Sequence, residues 1–196
     1  MNEITYKILL GMLVIAMNLI RGYYQSRYKK SHEITVTEKF RTREKGLVIL
    51  TTICMAVPGL IWLFTSGLSF AQFYLPDYIR VGGFVIGVYS MWLFYRVHKT
   101  LGDNWSPVLE IRKEHTLIIS GPYKYVRHPM YTAMLLWAVS FTLITANWFY
   151  SIALFACITL LFIIRIPDEE KLMTAQFGQQ YKVYMLQVKR IIPFIY

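Results

Sequence analysis

From Met130 to Ile164 the chain runs 35 residues without a charged side chain, and polar, ionisable segments bracket that run. On one side stands His115-Thr-Leu-Ile-Ile-Ser-Gly-Pro-Tyr-Lys-Tyr-Val-Arg-His-Pro-Met-Tyr131, and on the other Arg165-Ile-Pro-Asp-Glu-Glu170. A membrane-crossing helix needs about 17–20 apolar residues, so the run is long enough for two crossings. A hairpin returns the chain to the side it left. The bracketing segments should therefore meet at one membrane face, where a polar, partly ionisable site can form at a hairpin mouth.

The rest of the chain has the same character. Hydrophobic residues make up 56% of it and charged residues 16%, and the charges are segregated into blocks. A soluble chain of this size needs charge all round its surface. The reading is an all-α, polytopic membrane helical bundle with about five transmembrane helices, at 4–22, 47–66, 79–97, 130–145 and 147–164. The last two are joined by a tight Thr145-Ala146-Asn147 turn. The first span lacks a small-residue cleavage site and is read as retained rather than removed. Pro58-Gly59 should kink span two, and Gly83-x-x-x-Gly87 gives span three a face for close helix packing. After span five, Leu172, Met173, Phe177, Tyr181, Tyr184, Met185 and Val188 recur at steps of three and four. They predict a C-terminal amphipathic helical segment starting at Asp168, with Gly178 as a possible divider. The chain is one membrane domain, with spans one to three in residues 1–97 and a second half in 98–196.

Charge sets the expected orientation. Of 21 Lys and Arg, 19 fall in segments that five spans place on one side, leaving only Lys7 and Arg80 opposite. The positive-inside rule makes that side cytoplasmic and puts the N-terminus outside. The net charge of +10 is then topology and attraction to anionic membrane lipids, not nucleic-acid recognition. Cys54 and Cys157 form no CxxC pair, and His98, His115 and His128 have no ligand spacing, so no metal is expected. Nucleophile elbow, GxGxxG and P-loop are all missing from the sequence, which removes support for hydrolase, dinucleotide-binding and NTPase readings.

Chemistry concentrates at the hairpin mouth. Pro129 suits a first helical turn, whose free N–H groups and dipole favour an anion, with Arg127 and Tyr131 as added donors. Gly121-Pro122 reads as a turn that brings Tyr123 to the same point. Arg165 and Glu169 lie four apart and can share a helix face, with Pro167 between them. Asp168, Glu169 and Glu170 also suit a helix N-terminus, where they would be caps. Arg165, closing an apolar span beside an Arg-His block, favours function over capping.

The motifs Leu101-Gly-Asp-Asn-Trp105, His115-Thr-Leu-Ile118, Gly121-Pro-Tyr123, Arg127-His-Pro-Met-Tyr131, Glu169-Glu170, Phe177-Gly178, Tyr181, Tyr184 and Pro193 resemble the isoprenylcysteine carboxyl methyltransferase family, over about residues 98–196. The chain looks like a short, prokaryote-like member. The resemblance implies a membrane enzyme moving a methyl group from S-adenosylmethionine to a lipid-borne acceptor that enters from the bilayer, with no obligate protein partner. It implies cofactor contacts from His115, Thr116, Leu117, Ile118, Tyr123, His128, Pro129, Met130, Tyr131 and Glu169. Arg165 would face the substrate, and Arg165 with Glu169 would form the catalytic pair. An isoprenylcysteine-type carboxylate needs only a cation to hold it, whereas a phenol or hydroxyl needs a base such as Glu169. A multi-pass protein of a bacterial plasma membrane is the expected setting. The alternatives are a phospholipid N-methyltransferase and a non-enzymatic small transporter or scaffold.

Overall fold

The computed structural model describes residues 1–30, 41–106 and 116–195. Six α-helices account for most of them: α1 Glu3–Lys30, α2 Arg41–Phe64, α3 Asp77–Leu101, α4 Pro129–Thr145, α5 Trp148–Phe177 and α6 Gln179–Gln187. Among the described residues extended pairing is limited to two isolated bridges. Four helices are long and apolar enough to cross a membrane, α1, α2, α3 and α5, and α4 is a shorter apolar helix of 17 residues, about 25 Å long. The protein is an integral membrane helical bundle.

These four helices and α4 alternate in direction, so their ends gather at two faces: Arg80 at the start of α3 meets Glu3 of α1 and Ile144 at the end of α4, while Tyr150 and Asp168 of α5 meet Met55 and Arg43 of α2. α1 packs on α3, α3 on α4, α4 on α5, and α5 on α2. The α3–α4 seam is the tightest, because a Cβ built on Gly83 would sit 2.6 Å from Leu143 Cβ and one on Gly87 2.5 Å from Ser140 Oγ. The glycine pair therefore serves packing, and Ser90 Oγ ties the same seam by donating to the Ala133 carbonyl at 2.7 Å. The core between helices is built from Tyr6, Leu10, Trp137, Phe141, Ile144, Tyr150 and Leu154.

At the face carrying the N-terminus, Arg80 is buried despite its charge. It donates to Glu3 Oε1 at 2.5 Å and to the C-terminal carbonyl of Ile144 at 2.7 and 2.9 Å, with its guanidinium 3.5 Å from the Tyr6 ring centroid. One cation thus joins α1, α3 and the negative end of the α4 dipole. The hairpin turn holds Ala146 in the left-handed region at φ 46°, and Asn147 caps α5 by accepting from the Tyr150 N–H at 3.0 Å.

The structure corrects one expectation about this region. Span five does not end at Ile164, and no new helix starts at Asp168. α5 continues through Pro167 to Phe177, so Asp168, Glu169 and Glu170 lie inside a helix rather than capping one. Proline is accommodated there because membrane helices tolerate it where neighbours re-satisfy the backbone. The break falls instead at Gly178, whose φ of +52° suits glycine and separates α6. The predicted apolar stripe is thus split: Leu172, Met173 and Phe177 belong to α5, while Tyr181 and Tyr184 are the buried face of α6.

Candidate functional site

The hairpin does bring its two mouths together. Arg127-His128 enters α4 while Glu169-Glu170 sits two turns from the end of α5, and α6 folds back over both. The chain after α6 runs parallel to residues 126–128: Arg127 N–H donates to the Lys189 carbonyl at 2.7 Å and His128 N–H to the Arg190 carbonyl at 2.8 Å. Thr132 Oγ1 extends this seam by donating to the Ile191 carbonyl at 2.6 Å.

The acidic pair divides into two different environments. Glu170 is buried and structural. Arg127 donates to its Oε1 at 3.0 and 2.8 Å, Arg190 donates to Oε2 at 2.8 Å, and His128 Nε2 lies 3.3 Å from Oε1. Arg127 also donates to the carbonyls of Met185 and Val188, closing the end of α6. Arg127 therefore corrects the expectation of a donor waiting for an external anion, because its guanidinium binds the chain's own groups. Glu169 faces the cavity. Tyr131 Oη donates to its Oε2 at 2.8 Å, His128 Nδ1 lies 3.8 Å from its Oε1, and Arg165 is near enough to act on it electrostatically.

His128 sits between the two carboxylates. Burial alone would lower its pKa, but its bonds to Glu169 and Glu170 outweigh burial and raise it, favouring imidazolium. Tyr123 is held protonated, its phenol pushed well up by burial and by the charge of Glu169. Its carbonyl accepts from Tyr184 Oη at 2.6 Å, which fixes the 121–124 turn against α6. Tyr184 is itself pushed up to about 12 by burial.

A cavity of about 510 Å³ opens from this point into the bundle. Thr116, Leu117, Ile118, Tyr123, His128, Met130, Tyr131, Arg165 and Glu169 all line it. Pro129 is fully buried at the first turn of α4 behind this wall. His115 lies outside the described residues. Sequence reasoning gave no role to Asn104 and Trp105, although the Leu101–Trp105 motif was in view. Both line the cavity, and Asn104 Nδ2 donates to Thr116 Oγ1 at 3.1 Å. Arg190 carried no signal, because only folding brings it to Glu170. Among the described residues no group of three His, Cys, Asp or Glu is placed to hold a metal.

Residues 81–175, which contain most of this site, match the isoprenylcysteine carboxyl methyltransferase family. The chain is 34% identical over 98 residues to protein-S-isoprenylcysteine O-methyltransferase B of Arabidopsis thaliana, covering 49% of this chain and 50% of that one. It is 26% identical over 185 residues to the Xenopus laevis protein-S-isoprenylcysteine O-methyltransferase, covering 93% and 59%. The chain thus spans about half the length of the curated relatives it matches. In fold it is similar to the eukaryotic intramembrane Ras methyltransferase solved without a monobody, with a TM-score of 0.61 at 21% identity, covering 97% of this chain and 68% of that one. By their matched motifs, residues 81–175 of the chain belong to the isoprenylcysteine carboxyl methyltransferase family.

Proposed function

We propose that the protein transfers a methyl group from S-adenosylmethionine to a lipid-borne acceptor at the mouth of the α4–α5 hairpin. One observation carries the reading: Glu169 and Arg165, one turn apart on α5, stand at the polar end of a cavity whose other walls are mainly apolar. The residues suit this cofactor. Glu169 offers a carboxylate to its cationic groups, Tyr123 and Thr116 offer polar contacts, and Leu117, Ile118 and Met130 offer apolar surface. When bound, the cofactor supplies an electrophilic methyl group on a sulfonium.

The chain's own work is then alignment and exclusion of water. Methyl transfer is an in-line displacement, helped most by holding the reacting groups in register in a dry site. Tyr131 fixes the Glu169 carboxylate, and His128 braces it from the other side. Arg165 holds the acceptor: a carboxylate there needs only charge neutralisation and orientation, with no general base. Residues 98–196 carry the polar end of the cavity, and residues 1–97 supply part of its apolar wall. The side bearing Glu169 faces the cytoplasm, as the 19-of-21 distribution of basic residues favours.

Calorimetric titration of S-adenosylmethionine into detergent-purified protein tests this reading. Glu169→Gln should weaken binding by roughly tenfold to a hundredfold, the scale of one charge-assisted hydrogen bond. Arg165→Ala should leave cofactor affinity near wild type and abolish transfer to an anionic acceptor, with Arg165→Lys restoring part of it. Equal loss of cofactor affinity in all three variants would overturn the division of roles, and absence of binding in the wild type would overturn the function.

A further inference from the structure

Among the described residues, two polar groups on the α1–α3 wall of the cavity lack the partners that comparable groups elsewhere have. Arg21 of α1 is partly buried and lines the cavity, and among the described residues it has neither an ion pair nor a hydrogen bond. Four other arginines are neutralised: Arg80 by Glu3, Arg43 by Asp168, and Arg127 and Arg190 by Glu170. His98 of α3 lines the same cavity and is fully buried. It stands close enough to Arg21 for the guanidinium to act on it electrostatically.

The His98 ring has a defined polarity. Its Nδ1 lies 2.9 Å from the Phe94 carbonyl oxygen, which can only accept, so Nδ1 carries the ring's hydrogen. A hydrogen on Nε2 as well would set a second cation beside Arg21. Nε2 therefore presents a bare lone pair, and among the described residues nothing donates to it. A buried acceptor left in that state is costly unless a ligand completes it. The pair also stands at the right depth. Ser90 donates to the Ala133 carbonyl across the antiparallel α3–α4 seam, so His98, eight residues on, comes level with the residues just ahead of α4. There His128 and Tyr131 meet Glu169. Thr100, lying against Gly121, continues the same register.

A cation that lacks an acceptor beside a nitrogen that lacks a donor is a mixed pair, and ligand groups differ in how they satisfy it. A carboxylate would accept from Arg21 but turn a second lone pair on Nε2. An ammonium would donate to Nε2 but be repelled by Arg21. A hydroxyl does both, since its oxygen accepts from the guanidinium while its hydrogen goes to the imidazole. We propose that Arg21 and His98 form a subsite for a phenolic hydroxyl on the head group of the acceptor, on a different wall from Arg165 and Glu169. A phenol is a stronger donor than an aliphatic alcohol. The Phe94 and Trp105 rings, 4.3 and 4.9 Å from His98 between centroids, also line the cavity and offer flat surface to an aromatic head. Arg21 has the rotamer freedom to make room for it. The inference rests on the methyl acceptor proposed above and narrows its head group to a hydroxylated ring, with Arg21 and His98 as specificity residues.

Displacement of a fluorescent alkylphenol from the protein in nanodiscs, with S-adenosylhomocysteine present, tests the subsite with three competitors of equal tail length. They are an alkylphenol, the alkylanisole that lacks its hydrogen, and an alkylbenzoate. The wild type should prefer the phenol to the anisole by about tenfold, the scale of one hydrogen bond. His98→Phe should erase that preference, and His98→Gln, which keeps an acceptor, should restore part of it. Arg21→Met should weaken the phenol more than the anisole. Unfolding midpoints show that each variant is folded, and S-adenosylhomocysteine affinity should not change. If His98→Phe cannot be purified, Arg21→Met reads the same subsite. No preference in the wild type, or an undiminished one in folded His98→Phe or Arg21→Met, would overturn the proposal. Tighter binding of the benzoate, lost in Arg21→Met, would overturn it in favour of a carboxylate, and loss of S-adenosylhomocysteine affinity in both variants would overturn it in favour of the cofactor. Selective phenol binding without methyl transfer would defeat the transferase reading and leave the subsite standing, and transfer indifferent to the hydroxyl would do the reverse.

Discussion

Replacing Glu170 by Gln removes one charge while changing almost no volume, so its effect isolates the electrostatic joint between α5, α4 and the end of the chain. The carboxylate is 10% exposed and its partner Arg127 is 9% exposed. Removing one member of such a buried pair costs about 3–5 kcal/mol, because the other charge is left without compensation. Arg190 is 36% exposed, and its contribution is discounted for solvent to about 1 kcal/mol or less. The amide retains an oxygen that can still accept from Arg127, which moderates the loss. The expected cost is about 3–4 kcal/mol, or roughly 10 °C in the unfolding midpoint for a chain of this size. Tryptophan fluorescence during heating in detergent measures the shift, and limited proteolysis reports whether α6 and residues 188–195 detach first. Glu169→Gln is the control, since Glu169 faces the cavity and should cost much less stability. Equal destabilisation by the two substitutions would refute the assignment of Glu170 to structure and Glu169 to ligand.

His128 gives a pH dependence with a definite sign. Its folded pKa is raised above the ordinary value of 6.5, so its stabilisation is complete below that value and is lost as pH rises through the raised one. Unfolding midpoints recorded from about pH 6 to about pH 9 should fall with pH in the wild type, and His128→Asn should flatten that slope. Gly83→Ala should destabilise by about 1–3 kcal/mol through overpacking, because the new methyl would meet Leu143 Cβ at 2.6 Å, whereas Gly82→Ala, with open space around it, should be neutral or slightly stabilising in the same thermal assay.

The helical bundle was legible in the sequence because hydrocarbon imposes one rule on every residue of a span. The charge-free run from Met130 to Ile164 could fold only as a hairpin, and its turn at Thr145-Ala146-Asn147 contains the residue that caps α5. Tyr123, His128, Tyr131, Arg165 and Glu169 were legible as a group because two local motifs flank that hairpin. Arg165 misled, since the first charge after a charge-free run reads as the end of a span when only the chain is in view. The helix passes through it because neighbours, absent from any local pattern, stabilise its continuation. The residue pattern alone did not separate Glu169 from Glu170; the family resemblance singled out Glu169. Adjacent helix residues point about 100° apart, and which direction meets Arg127 and which meets the cavity is set by the rotation of α5 in the bundle. Arg190 joins the site through long-range folding alone.

The uninterrupted course of α5 has a mechanical consequence. Asn147 anchors its first turn, both by capping and by donating from Nδ2 to the Leu68 carbonyl at 2.7 Å, and Arg165 lies 18 residues further along, about 27 Å from that pivot. On a lever of that length, a tilt of two degrees carries Arg165 sideways by about 1 Å, the scale on which misplacement can cost about a hundredfold in rate. Bilayer thickness acts on helix tilt through hydrophobic mismatch. A bilayer whose thickness tilts α5 would displace the Arg165–Glu169 pair by this leverage, and methyl transfer measured in nanodiscs of graded acyl length should then pass through an optimum.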